Sequence, residues 1–234
     1  MTEQQDGTTV ELEFSVEDEG CFFVAASERA DCRIIGRETI QRTDGNRLEF
    51  FRVQGASRER ILRVADEYGS VRGARVAEQS EDEHLLAAVV TGRCVAATLA
   101  DTVAVIKRAE AVDGVATIVA DVPPYGDVRT VVETFTDRHP DSHLVAKHTF
   151  SDGLPAVAEN ERSARLEAGL TDRQREAVTT AVQFGYFSWP RESTAAECAD
   201  VLDVSQPTFS QHLWTGVEKL LTTMFDADSR ATAQ

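Results

Sequence analysis

Thr194-Ala-Ala-Glu-Cys-Ala-Asp-Val-Leu-Asp-Val-Ser-Gln-Pro-Thr-Phe-Ser-Gln-His-Leu213 is the stretch that decides how the C-terminal part of this chain folds. Thr194 and Ser205 are each N-cap residues, and each is followed by a run with apolar residues at helical spacing. Ala195, Cys198, Ala199 and Leu202 share one face of the first run, and Phe209, Leu213, Val217, Leu220 and Leu221 share one face of the second. Asp203-Val204 leaves room only for a tight turn, and Pro207 is tolerated in a first helical turn because its missing N–H would be unpaired there anyway. Two short helices joined this way form a helix-turn-helix, whose second helix can lie in the major groove of DNA.

Upstream, Thr171-Asp-Arg-Gln174 approximates a capping box and starts a further helix, with Ala177, Val178, Ala181, Val182 and Phe184 as its apolar stripe. The aromatic run Phe184-Gly-Tyr-Phe-Ser-Trp-Pro190 contains both a glycine and a proline and is expected to be a loop packed on the helices. On the helix from Ser205, the residues left outside the apolar face are Gln206, Thr208, Ser210, Gln211 and His212. Gln pairs bidentately with adenine, and Ser and Thr reach bases or phosphates. Thr194 and Ser205 mark helix N-termini whose backbone amides suit phosphate oxygens. Arg173, Arg175, Arg191 and Lys219 are the candidate phosphate contacts. Double-stranded DNA is the expected partner, and a homodimer is expected because one such motif reads a half-site.

The first 150 residues read as one unit used twice, over about 9–79 and 84–150. In the first copy, strands are predicted at Thr9–Val16, Cys32–Arg42, Arg47–Gln54 and Val71–Glu78. A short segment at Cys21–Arg29 and a helix capped by Ser57 lie between them. The second copy repeats the order, with strands at Leu85–Thr91, Val103–Val112, Val115–Val122 and His143–Phe150. A short segment at Cys94–Ala100 and a helix capped by Asp127 complete it. The Asp44-Gly45 and Asp113-Gly114 turns lie 69 residues apart, and that recurrence is stronger evidence than either copy alone. The predicted fold class is therefore α+β: a tandem ferredoxin-like (βαββαβ) body followed by an all-α helix-turn-helix domain. The expected organisation is a sensor or dimerisation body over 1–150, a helical linker over 151–169, a DNA-binding domain over 170–225 and a flexible tail over 226–234.

The chain has 234 residues and a formal net charge of −16, with only Lys107, Lys147 and Lys219 as lysines. A DNA binder normally presents a basic face. An acidic, lysine-poor surface fits a salt-saturated cytoplasm, where the Debye length falls to about 3 Å and distant carboxylates no longer repel phosphate. No apolar run approaches the roughly 20 residues of a membrane helix, and the acidic, polar N-terminus is unlike a secretory signal, so a cytoplasmic location is expected.

Leu170-Thr-Asp-Arg-Gln-Arg-Glu-Ala-Val178, Gly185-Tyr-Phe-Ser-Trp-Pro-Arg191, Thr194-Ala-Ala-Glu-Cys-Ala199 and Ser205-Gln-Pro-Thr-Phe-Ser-Gln-His-Leu213 resemble the helix-turn-helix of the bacterio-opsin activator type. That family consists of transcriptional regulators from halophilic archaea. The resemblance implies a sequence-specific transcription factor and an acidic, salt-adapted surface; the N-terminal region is similar to the family's associated domain, less specifically. Trp214 and Thr215 depart from it, standing where members commonly carry basic residues.

Cys21, Cys32 and Cys94 fall at matching regions of the two copies and are a candidate redox or metal group, with His84, His143 or His148 as partners. The competing reading is small buried apolar residues. No Cys-x-x-Cys pair implies a structural zinc site, and no cofactor is expected. Catalysis is not expected either: there is no nucleophile elbow, P-loop, His-Glu-x-x-His or Rossmann pattern, and Asp101, Asp121, Glu133 and Asp137 read as solvated acids. The rival function is a ligand-binding or protein-interaction module whose helical tail contacts a protein. A metabolic enzyme carrying a regulatory repeat is a third, weaker reading. A small-molecule or redox signal acting on the N-terminal body is compatible with the first reading and with the rival.

Overall fold

A computed structural model describes residues 8–78, 83–150 and 166–231. The N-terminal part is mixed α+β. In chain order its elements are β1 (Thr9–Val16), α1 (Phe22–Arg29), β2 (Arg33–Gln41), β3 (Arg47–Gln54), α2 (Arg58–Glu67) and β4 (Val71–Glu78). Then come β5 (Glu83–Val90), α3 (Val95–Ala100), β6 (Val105–Val112), β7 (Val115–Val122), α4 (Val128–Arg138) and β8 (Ser142–Phe150). The helix caps follow from the residues. Ser57 accepts from the Arg60 N–H and Asp127 from the Arg129 N–H, satisfying donors that a helix start leaves open. At the second hairpin both turn residues have positive φ, Asp113 at 50° and Gly114 at 77°. This is the turn that matches strand twist and favours Asp-Gly.

All eight strands join one antiparallel sheet in the order β4-β5-β3-β2-β6-β7-β1-β8. The element order repeats as the sequence predicts, but the neighbours show an exchange. β1 lies between β7 and β8, and β5 lies between β3 and β4, so each half of the sheet takes its first strand from the other copy. The expectation of one separate four-stranded sheet per copy is corrected accordingly. The two halves meet at β2 and β6, which pair through Ile34–Ala111 and Ile35–Glu110. Register shifts at Gly36/Glu38 in β2 and Ile106/Arg108 in β6 then turn the two strands apart.

Helices α1–α4 cover one face of the sheet. Leu12, Phe14, Val16, Ile34, Phe51, Val53, Leu86 and Ile118 pack there against Phe22, Ile61, Leu99 and Phe135. Three further helices follow: α5 (Asp172–Gln183), α6 (Ala195–Leu202) and α7 (Gln206–Ala231). They dock on the opposite face of the first half, where Ile40, Leu48, Phe50, Leu85 and Ala87 share a core with Ala177, Ala181, Phe184, Cys198, Phe209 and Leu213. β3 and β5 are thus buried on both faces, which is why Leu85-Leu-Ala-Ala-Val-Val90 is continuously apolar. α7 carries the chain to Ala231, past the Phe225 boundary expected for this domain. Most of the expected helical linker and the last residues of the expected tail lie outside the described residues.

Candidate nucleic-acid interface

The three C-terminal helices are set by their caps. Thr171 accepts from the Gln174 N–H while the Gln174 side chain accepts from the Thr171 N–H, a complete capping box, and Thr194 and Glu197 form a second. Asp203 takes a left-handed conformation (φ 55°, ψ 47°) that ends α6 and turns the chain. The Ser205 hydroxyl then accepts from the Thr208 N–H at 3.3 Å and meets the Thr208 hydroxyl at 2.8 Å. Phe209 and Leu213 are fully buried beneath this corner. A buried hydrophobic side of α7 and a fixed entry angle leave its other side to solvent.

That other side is open. Ser205, Gln206 and Gln211 are exposed, and Thr208, Ser210 and His212 are partly so. Among the described residues, no hydrogen bond engages the side chains of Gln206, Ser210, Gln211 or His212. Trp214 is exposed one turn further on, and Thr215 turns its hydroxyl back onto the Gln211 carbonyl at 2.8 Å. The six residues from Ser205 to His212 singled out by sequence therefore lie at the start and in the first two turns of α7, each exposed or partly exposed.

The basic residues are placed differently. Arg173 pairs with Glu176 at 2.8 Å, Arg175 with Glu167 at 3.3 Å, and Lys219 donates to the Gly169 carbonyl and to the Gln174 side chain at 3.0 and 2.9 Å. Arg191 stacks on the Tyr186 ring, 4.6 Å from its centroid, and is exposed. All four thus have partners within the chain, and Arg191 alone is exposed as a whole residue. Thr194 is exposed, but Glu197 accepts from its N–H at 2.7 Å, so a carboxylate already sits at the start of α6. Those hydrogen bonds hold the Glu197 carboxyl below its ordinary range.

Three expectations of burial are corrected. Val182 and Leu221 are exposed at the far edges of their helices' stripes, because each helix buries a narrower face than the apolar spacing allows. In the aromatic loop, Phe184 and Tyr186 pack inward, whereas Phe187 is half exposed and Trp189 is 96% exposed. Asp121, read as a solvated acid, is 0% exposed and has no hydrogen-bond partner among the described residues. It lies on an inner strand of the sheet, where its neighbours exclude water, and burial raises its pKa.

Cys21, Cys32, Cys94 and Cys198 are all buried, as small apolar residues would be. Burial pushes the thiols up, Cys32 to about 11 and Cys21 and Cys94 further, so none is a thiolate near neutral pH. His84, His143 and His148 are not gathered with Cys21. Its neighbours are Asp18 and His139, neither of which the sequence reading singled out. No local spacing could reveal them together, since Cys21 and His139 are 118 residues apart.

A second feature is a cleft of about 640 Å³ where β2 and β6 diverge. Gly36 and Glu38 line one wall, Val105 and Lys107 the other, and Glu49 and Tyr125 complete it. No helix among the described residues is long and apolar enough to cross a membrane.

Residues 7–153 match the family described as the GAF and HTH_10 associated domain, and residues 170–222 match the HTH DNA-binding domain. A putative transcriptional regulator of Haloferax volcanii is 33% identical over 226 residues, covering 97% of this chain and 38% of that protein. The bacterioopsin transcriptional activator of Halobacterium salinarum is 27% identical over 166 residues, 71% of this chain and 24% of that protein. The transcriptional regulator NarO of Haloferax volcanii is 49% identical over 57 residues, 24% of this chain and 27% of that protein. The chain thus spans well under half the length of these three relatives. With most of its residues inside the two matched domains, the chain belongs to the family that joins the GAF and HTH_10 associated domain to an HTH DNA-binding domain, and it is homologous to the haloarchaeal bacterioopsin transcriptional activator.

Proposed function

We propose that this chain is a sequence-specific transcriptional regulator that reads duplex DNA through the N-terminal end of α7. The observation that carries the reading is the solvent-open polar set Gln206, Thr208, Ser210, Gln211 and His212 in the first two turns of α7, beside a buried Phe209–Leu213 anchor. A helix N-terminus presented in this way suits a major groove about 12 Å wide. The internal ion pairs of Arg173 and Arg175 and the internal hydrogen bonds of Lys219 leave the phosphate role chiefly to Arg191, to backbone amides and to the hydroxyls of Ser205 and Thr208. With a net charge of −16, binding belongs to molar salt, where screening removes long-range repulsion.

The finer fold follows the strand order. Each half, read as β4-β5-β3-β2 and β8-β1-β7-β6, has the ferredoxin-like arrangement, with its first strand donated by the other copy. This body is the sensory part, and the cleft between β2 and β6 is the place for a small-molecule signal, since an occupant there would bear on both halves at once. A homodimer in the cytoplasm completes the reading, because two half-sites need two α7 helices. Exposed Trp214, Leu221 and Met224 on α7 supply apolar surface for that contact.

Binding of labelled genomic fragments in molar KCl tests the assignment. Gln206→Ala/Gln211→Ala is expected to lose sequence preference, at roughly 1–3 kcal/mol per bidentate base contact. Equal and negligible binding by the intact chain and the double variant would instead favour a helical tail that contacts a protein.

A further inference from the structure

Asp18-Glu-Gly-Cys21 is the segment in which the chain leaves β1, in one half of the sheet, for α1. It runs beside the matching segment after β5, with an isolated parallel bridge between Cys21 and Arg93. At this crossover three buried side chains converge. The Asp18 Oδ2 lies 3.0 Å from His139 Nδ1 and 3.7 Å from Cys21 Sγ, and Cys21 Sγ lies 3.6 Å from His139 Nδ1. All three residues are buried, and among the described residues they form a carboxylate, thiol and imidazole group compact enough to hold one ion.

The two distances to sulfur come close to a metal's first coordination shell, while the 3.0 Å between Asp18 Oδ2 and His139 Nδ1 is a hydrogen-bond length that has to open by about 0.3 Å to admit an ion. Zinc bonds to sulfur at about 2.3 Å and to nitrogen or oxygen at about 2.0–2.2 Å, so ligand atoms at tetrahedral angles stand roughly 3.3–3.6 Å apart. The surroundings also fit. Gly20 donates its N–H to Asp18 Oδ1 at 2.8 Å, leaving Oδ2 to point at the other two ligands. A Cβ at position 20 would stand 2.8 Å from that Oδ1, so a side chain there would shift the carboxylate. His139 Nε2 lies 2.9 Å from the Thr98 hydroxyl, which donates to the Cys94 carbonyl at 3.2 Å. With its proton so used, Thr98 accepts from Nε2–H, and the Nδ1 lone pair then faces the Asp18 carboxylate. Two acceptors 3.0 Å apart require either a proton shared between them or a cation bound by both. A ligating histidine held by its other nitrogen is the usual outer arrangement of a metal site.

We propose that Asp18, Cys21 and His139 bind one divalent transition-metal ion of the zinc type, with a fourth position taken by an exchangeable ligand. Binding breaks the Cys21 S–H bond, releases its proton to solvent and forms a metal–thiolate bond; the metal keeps its oxidation state. Arg93, which also reaches Asp18 Oδ2 at 3.1 Å, is 54% exposed and remains on the solvent side. The ion joins the β1–α1 crossover to the end of α4, and so ties the first copy to the second. A metal here would set how firmly the two halves are held at their exchange point. The opposing arrangement places a proton on Nδ1, satisfies Asp18 directly, lets Thr98 donate to Nε2 and needs no metal.

Cobalt(II) titration of the full chain in molar KCl separates the two. One cobalt per chain is expected, with a thiolate-to-cobalt charge-transfer band that disappears in Cys21→Ser and persists in Cys32→Ser. Because Cys21→Ser in a buried site could fail to fold, the unfolding temperature of the unaltered chain is read in parallel, with zinc and with chelator. A rise of several degrees with zinc, reversed by chelator, is expected. Absence of the band in the unaltered chain, its survival in folded Cys21→Ser, or an unfolding temperature indifferent to zinc and chelator would overturn the proposal.

Discussion

The two halves of the sheet share one element order and differ in what their outer faces present. In the first half, β3 and β5 place Leu48, Phe50, Leu85 and Ala87 outward, and the C-terminal helices cover them. In the second half, β1 alternates Leu12, Phe14 and Val16 inward with Glu11, Glu13 and Ser15 on the other face. β1 and β5 are equivalent strands of the repeat, yet one alternates and the other is apolar from Leu85 to Val90. A duplicated unit thereby acquires a single docking face, and the three C-terminal helices are carried on one half only.

The strongest way to break this asymmetry is at Phe50, which is fully buried and meets Phe184 edge-on at 6.3 Å between ring centroids. Phe50→Ala is expected to cost about 3–5 kcal/mol. Glu13→Ala, on the polar face of the other half, is expected to stay within about 0.5 kcal/mol. Denaturant unfolding of both variants measures the contrast, and equal losses would remove the claim that the two faces differ in role. A smaller perturbation leaves the docking face intact and loosens α6 alone. Thr194→Ala removes one side of a capping box, with an expected loss of about 0.5–2 kcal/mol, and hydrogen exchange should rise in α6 before it rises in β3.

The smallest effect compares one buried carboxylate in each half. Burial raises the pKa of both Glu49 and Asp121. Glu49 has Arg47 at 3.4 Å and Cys94 beside it, whereas Asp121 has Lys107 at 3.8 Å and Glu11 nearby. A carboxyl whose folded pKa is raised holds more protons when folded than when unfolded. Its contribution to stability therefore increases as pH falls from neutral through the raised value, and is complete near the ordinary carboxylate range. Glu49→Gln and Asp121→Asn should each flatten that increase in unfolding curves taken at successive pH values. Profiles identical to that of the unaltered chain would show that neither group titrates in this window.

Much of this architecture was legible. Strand alternation, two Asp-Gly turns and the Ser57, Asp127, Thr171, Thr194 and Ser205 caps locate most elements to within a residue or two. The strand exchange was not legible, because β1 and β5 carry equivalent helix-facing patterns and either fits either half. The apolar outer face of β5 was a visible cue to docking, but periodicity cannot say what a second apolar face meets. At the interface, residue types marked the α7 edge, while the partners of Arg173, Arg175 and Lys219 depend on tertiary placement. His139 was missed because a histidine beside a proline at a helix end carries no spacing signal of its own.

The central claim is that the N-terminal edge of α7 reads bases from the major groove. The direct measurement is methylation protection of purines in bound DNA, in molar KCl, with the intact chain and with Gln206→Ala/Gln211→Ala. N7 atoms are exposed in the major groove and adenine N3 in the minor groove. The account predicts N7 protection at a defined site that the double variant loses. Protection confined to N3, or an N7 pattern unchanged by removing both glutamines, would contradict it.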